Sequence, residues 1–175
     1  MQEGILKLFN MYLHLVPRFV RNFFYDNLDV MAARNLEHFR EIKGAAELIG
    51  VDTALAYMLN NAYEMGDVLC TSIVARTSEG HVIHGRNLDF AFPDASRNVT
   101  FIAQFYRGGE YQYEAVMIAG YLGVLTATKP GAWGMSMNAR GVGKSIESRF
   151  EIMGKILMGM EDVGFYIRDV LDEAQ

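Results

Sequence analysis

Cys70-Thr71-Ser72-Ile73-Val74-Ala75, the turn Ser78-Glu79-Gly80 and the return run His81-Val82-Ile83-His84, closed by Arg86-Asn87-Leu88-Asp89, decide the fold of this chain. The first run is short and rich in β-branched residues, which fit a pleated, half-buried surface. Ser-Glu-Gly supplies the turn, and the return run completes a hairpin. Counted from that turn, Cys70 lies about eight residues before it, and Arg86 and Asp89 lie about six to nine after it. A hairpin brings the end of its second strand back beside the start of its first. The spacing therefore places one thiol, one guanidinium and one carboxylate at the same end of a sheet.

Working outward, two more hairpins are predicted. One joins Val99–Tyr106 to Tyr111–Ile118 across Gly108-Gly109, and the other joins Gly123–Thr128 to Trp133–Met137 across Lys129-Pro130-Gly131. The whole stretch 70–138 is expected to form a mainly antiparallel sheet. Upstream the period changes from two to three and four. Ile5, Leu8, Phe9, Tyr12, Leu15, Val16, Phe19 and Phe23 form a helical stripe with a break at Pro17. A second helix is predicted over Asn35–Ile49, ending at Gly50, and a third after Asp52 as its N-cap. A last helix over Asp162–Ala174 sets Val163, Ile167, Val170, Leu171 and Ala174 on one face. Helices, then strands, then a helix make an α+β layered protein.

Composition narrows the classes. The 175 residues are 51% apolar and 21% charged, which belongs to a chain with a real core. A net charge of −5 is a poor footing for nucleic acid, and no nucleic-acid partner is expected. One cysteine excludes an intrachain disulfide and a cysteine-based zinc cluster. Met1-Gln2-Glu3 is acidic where a signal peptide is basic. Lys7, His14, Pro17, Arg18 and Arg21 interrupt the apolar run behind it, so neither a signal peptide nor a transmembrane helix is expected. Lys7, Arg18 and Arg21 beside Phe19, Phe23 and Phe24 also fit a helix lying on an anionic membrane surface, although an ordinary core helix explains them equally well.

Each chemical candidate has a plainer reading beside it. A lone cysteine is most often a small buried hydrophobe, whereas a thiolate is a good nucleophile toward carbonyl carbon. Arg86 and Asp89 are either a surface ion pair or partners of that sulfur. His81 and His84, three apart on a strand, face opposite ways and share no metal. Gly143-Lys144-Ser145 resembles the end of a phosphate loop, but Asn138 stands where its first glycine is needed. Asn98-Val99-Thr100 is a glycosylation sequon, meaningful only in a secreted protein. No metal and no cofactor is expected.

Cys70-Thr71-Ser72-Ile73-Val74-Ala75 followed by Gly80-His81-Val82-Ile83-His84-Gly85-Arg86-Asn87-Leu88-Asp89-Phe90 closely resembles the acid ceramidase and N-acylethanolamine acid amidase family of N-terminal-nucleophile amidases. Glu41-Ile42-Lys43-Gly44-Ala45-Ala46-Glu47 upstream extends the likeness. So do Ala119-Gly120-Tyr121-Leu122-Gly123-Val124-Leu125-Thr126 and Lys129-Pro130-Gly131 downstream, the latter two more like acid ceramidase. The resemblance implies an N-terminal-nucleophile αββα sandwich, here its incomplete first half, preceded by a helical segment. It implies self-cleavage between Leu69 and Cys70, giving α and β subunits from one precursor, residues 1–69 and 70–175. It also implies that Cys70 attacks a fatty-acyl amide, with Asp89 holding its α-amine and Arg86 positioning nucleophile and substrate. The implied substrates are N-acyl lipids, ceramide or N-acylethanolamines, met at a membrane surface or on a lipid-presenting protein. The implied location is lysosomal or secreted. The alternative is an inactive relative that binds lipid or a partner. The chain departs from the family at Ala139, where the family commonly has Glu, and the family's catalytic unit is expected to run on beyond Gln175.

Overall fold

The computed structural model describes residues 2–65, 69–89, 92–139, 146–160 and 162–173. Helix α1 (Gln2–Leu15) stops before Pro17, whose ring forbids a helical hydrogen bond and restrains the residue before it. Pro17 instead starts α2 (Arg18–Arg34), which runs well past Phe23 because Phe24 and Met31 carry the buried stripe onward. Helix α3 (Leu36–Ile49) ends at Gly50. Gly50 has φ +83°, and its N–H caps the Ala46 carbonyl at 2.8 Å. Asp52 caps α4 (Thr53–Leu59) as expected, accepting from the Ala54 and Leu55 amides at 2.8 and 3.3 Å. A single turn, α5 (Ala62–Met65), leads toward the strands.

The first hairpin is β1 (Leu69–Arg76) with β2 (Val82–Asp89), in the register Cys70↔Leu88 and Ser72↔Arg86. After α6 (Pro93–Arg97) come β3 (Thr100–Arg107), β4 (Glu110–Ile118), β5 (Thr126–Lys129) and β6 (Trp133–Ser136), an antiparallel sheet in that order. The strands therefore make two sheets, a two-stranded ribbon and a four-stranded sheet, where one sheet over 70–138 was expected. The reason is that side chains, not a backbone ladder, join the ribbon to the sheet. Helices α7 (Ile146–Leu157) and α8 (Val163–Glu173) follow. The Gly143-Lys144-Ser145 stretch lies outside the described residues.

Helices α1 to α4 share one core with Val99, Ile156 and Phe165. Phe24 is buried and Phe23 packs against that core, so of the three phenylalanines read as lipid-facing only Phe19 is half exposed, stacked on Phe150. A second core lies where Tyr113, Ala115 and Met117, alternate residues of β4, meet Ile167 and Leu171 of α8. Helix α8 packs with most of its expected face, since Val163 joins Ile167 and Leu171 in facing inward. Val170 is the exception at 46% exposed, Ala174 lies outside the described residues, and Gly164 and Phe165 are buried as well. Gly164 is required there, because a Cβ at that position would stand 2.1 Å from the Tyr121 hydroxyl.

That hydroxyl donates to Asp162, which precedes α8 and also accepts from the Gly164 amide at 2.8 Å. Burial pushes the Asp162 carboxyl up to about 7; the bonds from Tyr121 and Gly164 oppose this, and the Glu64 carboxylate adds to it. The folded-state value lies above that of the unfolded chain. The native state thus keeps a proton that the unfolded chain loses above about pH 4, and acidification from about pH 7 toward pH 4 stabilises the fold. Thermal unfolding should therefore show a Tm that rises between about pH 8 and about pH 5, with a smaller rise in Asp162→Asn. Parallel curves for the two proteins would show that this carboxyl does not govern the trend.

Candidate active site

Period-two alternation sorts the ribbon into two faces. Cys70, Ser72 and Val74 on β1 share one face with His84, Arg86 and Leu88 on β2; Leu69, Thr71, Asn87 and Asp89 take the other. The first face looks toward the four-stranded sheet. Arg86 Nη2 lies 3.4 Å from Cys70 Sγ, so the sulfur and guanidinium that the spacing brought to one end are in contact. The same guanidinium donates through Nη1 to the Leu125 carbonyl at 2.9 Å and to Thr126 Oγ1, and through Nη2 to the Met137 carbonyl. Its Nε is buried with no partner among the described residues. One planar fork thereby ties β2 to the loop before β5 and to the residue after β6.

A second polar bridge lies along the same face. The hydroxyls of Ser72 and Ser136 are 2.7 Å apart, Ser72 Oγ also donates to Asn138 Oδ1 at 2.9 Å, and His84 Nε2 is 3.1 Å from Ser136 Oγ. His84 is thus part of the ribbon's attachment. His81 stands in solvent beside Glu79, 3.9 Å away. Behind the sulfur, Tyr63, Tyr121 and Leu125 form a buried cluster against which Cys70, Leu88, Met137, Ala139 and Val163 pack. The loop carrying Leu125 is itself held from α4. Buried Asn60 donates to the Gly120 carbonyl at 2.9 Å and accepts from the Leu122 amide at 2.7 Å.

Asp89 pairs in register with Leu69, one residue before Cys70, and projects to the opposite face. It is exposed there and accepts from Asn87 Nδ2 at 2.5 Å. The Asp89 backbone therefore lies across from Leu69, and its side chain is on the face away from the sulfur. Leu69 itself is 59% exposed. Between ribbon and sheet runs a cleft of about 830 Å³ bordered by Arg86, Asp89, Val116, Ile118 and Leu125. A second cleft of about 730 Å³ shares His84 and Val116 with it. Asn98 sits exposed at the end of α6, while the Thr100 hydroxyl of its sequon is engaged with the Ser96 carbonyl at 2.8 Å. Among the described residues no group of three or more His, Cys, Asp or Glu could hold a metal ion, and no helix is long and apolar enough to cross a membrane.

Comparison with known proteins accounts for this arrangement. Residues 70–149 match the model of linear amide C–N hydrolases, choloylglycine hydrolase family, a match that begins at Cys70 itself. Residues 70–149 are a domain of this family. It is 36% identical over 140 residues to N-acylethanolamine-hydrolyzing acid amidase from Caenorhabditis elegans, covering 75% of this chain and 39% of that protein. It is also 32% identical over 150 residues to acid ceramidase from Bos taurus, covering 77% of this chain and 37% of that one. The solved Caenorhabditis elegans N-acylethanolamine-hydrolyzing acid amidase ortholog superposes with a TM-score of 0.51 at 40% identity, over 59% of this chain and 43% of that one. The fold is thus the α+β N-terminal-nucleophile fold. The chain spans about two fifths of the length of the curated relatives it matches.

Sequence reasoning named Cys70, Arg86 and Asp89, of which the structure brings Cys70 and Arg86 into contact, and it did not name Tyr63, Asn60, Ser136 or the carbonyls of Leu125 and Met137. Carbonyls leave no trace in a sequence, and Tyr63 sits on one helical turn with no periodic pattern. The clamp has a measurable consequence. Arg86→Met should lower stability to urea by about 2–4 kcal/mol, because several buried acceptors lose a charged donor together. Arg86→Lys should recover only part of it, since an ammonium cannot fork. A urea midpoint unchanged in Arg86→Met would show that the ribbon is held without the clamp.

Proposed function

We propose that this chain is the front part of an amidase for N-acyl lipids that activates itself by cleavage before Cys70. The contact of Arg86 with Cys70 Sγ at the start of β1, beside an exposed Leu69, carries this reading. In the first step the Cys70 sulfur adds to the Leu69 carbonyl carbon and the Leu69–Cys70 C–N bond breaks. A thioester joins Leu69 to the sulfur, and the nitrogen becomes the α-amine of Cys70. Water then hydrolyses the thioester, freeing the thiol and a carboxylate on Leu69. Residues 1–69 and 70 onward become two subunits of one precursor.

After cleavage the nearest base to the thiol is its own α-amine, which titrates near pH 8 in water. Asp89, in register across the ribbon from Leu69, holds that amine as an ammonium once it accepts the thiol proton. The thiolate attacks the acyl carbonyl of the lipid amide, the amine product takes a proton and leaves, and water releases the fatty acid. The cleft between ribbon and sheet, with Val116, Ile118 and Leu125 along it, suits an acyl chain. The names of the relatives point to two amide substrates, ceramide and N-acylethanolamine, and identities of 31–36% favour neither. An acidic compartment, lysosomal or secretory, fits both the relatives' names and a fold that the Asp162 carboxyl strengthens in acid. In such a compartment Asn98 is a glycosylation site.

The test uses the chain extended to the length of its relatives. N-terminal sequencing should find a new start at Cys70, and the processed protein should hydrolyse a fatty-acyl amide at acidic pH. Cys70→Ala should abolish both, because one sulfur serves both steps. A start elsewhere, or hydrolysis surviving in Cys70→Ala, would overturn the mechanism. Ala139 favours a second reading, a silent relative that binds lipid without turning it over. It packs in the cluster behind Cys70 at a position where the family commonly has Glu. If that loss is what silences the protein, Ala139→Glu should speed cleavage; unchanged kinetics would remove the basis for this reading.

A further inference from the structure

The cluster behind the nucleophile contains a group that the mechanism above does not use. Tyr63, on the single turn α5, is 5% exposed and belongs to the cluster on which Cys70 and Leu88 pack, with Cys70 among the groups that act on its phenol. Its hydroxyl lies 3.4 Å from the Met137 carbonyl, a long contact for an O–H donor. That carbonyl already accepts from Arg86 Nη2, the same nitrogen that lies 3.4 Å from Cys70 Sγ. Sulfur, guanidinium, carbonyl and phenol are thus linked in one chain, with the phenol in the cluster that backs the sulfur. We infer that Tyr63 is a hydrogen-bond donor to the Cys70 sulfur, supplied to the active site from the segment upstream of the Leu69–Cys70 bond.

The hydrogen-bond inventory of the group explains how it works. A neutral thiol has a proton to give, and the phenol oxygen accepts it while the phenol proton points at Met137 O. When the thiol proton leaves to the base, the sulfur needs a donor, and the phenol proton turns from Met137 O to sulfur. Little is lost in the turn, because the contact released is long and Met137 O keeps Arg86. The phenol itself stays protonated throughout: burial and the neighbouring Cys70 raise its pKa well above the ordinary tyrosine value. Both anion-stabilising groups then flank the sulfur from different directions, Arg86 from β2 and Tyr63 from α5.

Tyr63 precedes the Leu69–Cys70 bond. If cleavage proceeds as proposed, the sulfur and its phenol donor end on different pieces. The upstream piece would then be a part of the site, not a discarded leader.

Cys70 is the only cysteine in the chain, so alkylation by iodoacetamide reports on it alone. The experiment measures alkylation rate against pH for the uncleaved chain and for Tyr63→Phe, which removes one oxygen and keeps the ring. The variant should react about tenfold more slowly near neutral pH, the effect of losing one donor to an anion, and equally fast on the high-pH plateau. A purely packing role would change the plateau, which reads access, and leave the pH at which the rate rises where it was. If Tyr63→Phe fails to fold, 3-fluorotyrosine placed at position 63 keeps the shape with a more acidic phenol and should speed alkylation near neutral pH. A profile unmoved by either replacement overturns the inference. The role proposed for Tyr63 rests on Cys70 being the nucleophile, but the alkylation is read before any cleavage. An unmoved profile therefore leaves the self-cleaving amidase standing, and absence of a Cys70 N-terminus leaves the Tyr63 result standing.

Discussion

The guanidinium of Arg86 is the joint on which the rest of the molecule depends. Two sheets meet here without a shared backbone ladder, so the position of the Cys70 ribbon is set by side chains. Arg86 makes the charged part of that connection, spanning from β2 to the carbonyls of Leu125 and Met137 while its remaining reach ends on the sulfur. A rigid planar fork suits this task, because its donors diverge at fixed angles and stay charged at every relevant pH. Holding the sheets and touching the nucleophile are therefore one function of one residue. A displacement of β6 would move the sulfur's electrostatic partner with it.

The supports of that joint come from far along the chain. Asn60, in the helical half, fixes the loop that presents Leu125. Tyr121 in the same loop is pinned by Asp162 at the start of α8, and Gly164 must lack a side chain for the helix to approach. The helices thus serve as more than cover for a sheet. They set the height of a loop whose carbonyl Arg86 reads, and a carboxyl that titrates about pH 7 lies within that support. The stability of the fold and the geometry of the site are coupled through a few buried polar groups, each costly to leave unpaired.

The hairpins were legible because alternation and turn residues are local, and the cluster of Cys70 with Arg86 followed from counting along them. The polar run Gly85–Asp89 carries no strand signal of its own, yet it is strand because Leu69–Ile73 gives it a partner. Helix α7 did have a signal in Ile152, Met153 and Ile156, which the reading passed over. The stripe of α8 was legible at Val163, Ile167 and Leu171, but the exposure of Val170 and the close contact at Gly164 were not recoverable from it. The phenylalanines of α2 show the same limit. Phe23 and Phe24 beside arginines are compatible with a lipid surface or a core, and only the packing of α2 against α4 and α7 decides for the core.

Asp89 shows why the two faces of the ribbon matter to the proposed chemistry. A carboxylate placed against a thiolate would disfavour both anions, so a base-holding acid and an ionised sulfur are poor neighbours. Here alternation keeps them apart: Cys70 projects toward Arg86 and Tyr63, and Asp89 projects away from them. The backbone nitrogen of Cys70 lies in the plane between the faces, one residue on from the Leu69 that pairs with Asp89. Before cleavage that nitrogen is a neutral amide that can donate a hydrogen bond but carry no charge, and Asp89 is engaged with Asn87. Cleavage as proposed turns the same atom into an amine able to carry a positive charge. The acid then gains its partner in the step that creates the base, while the donors to sulfur remain on the other face of the strand.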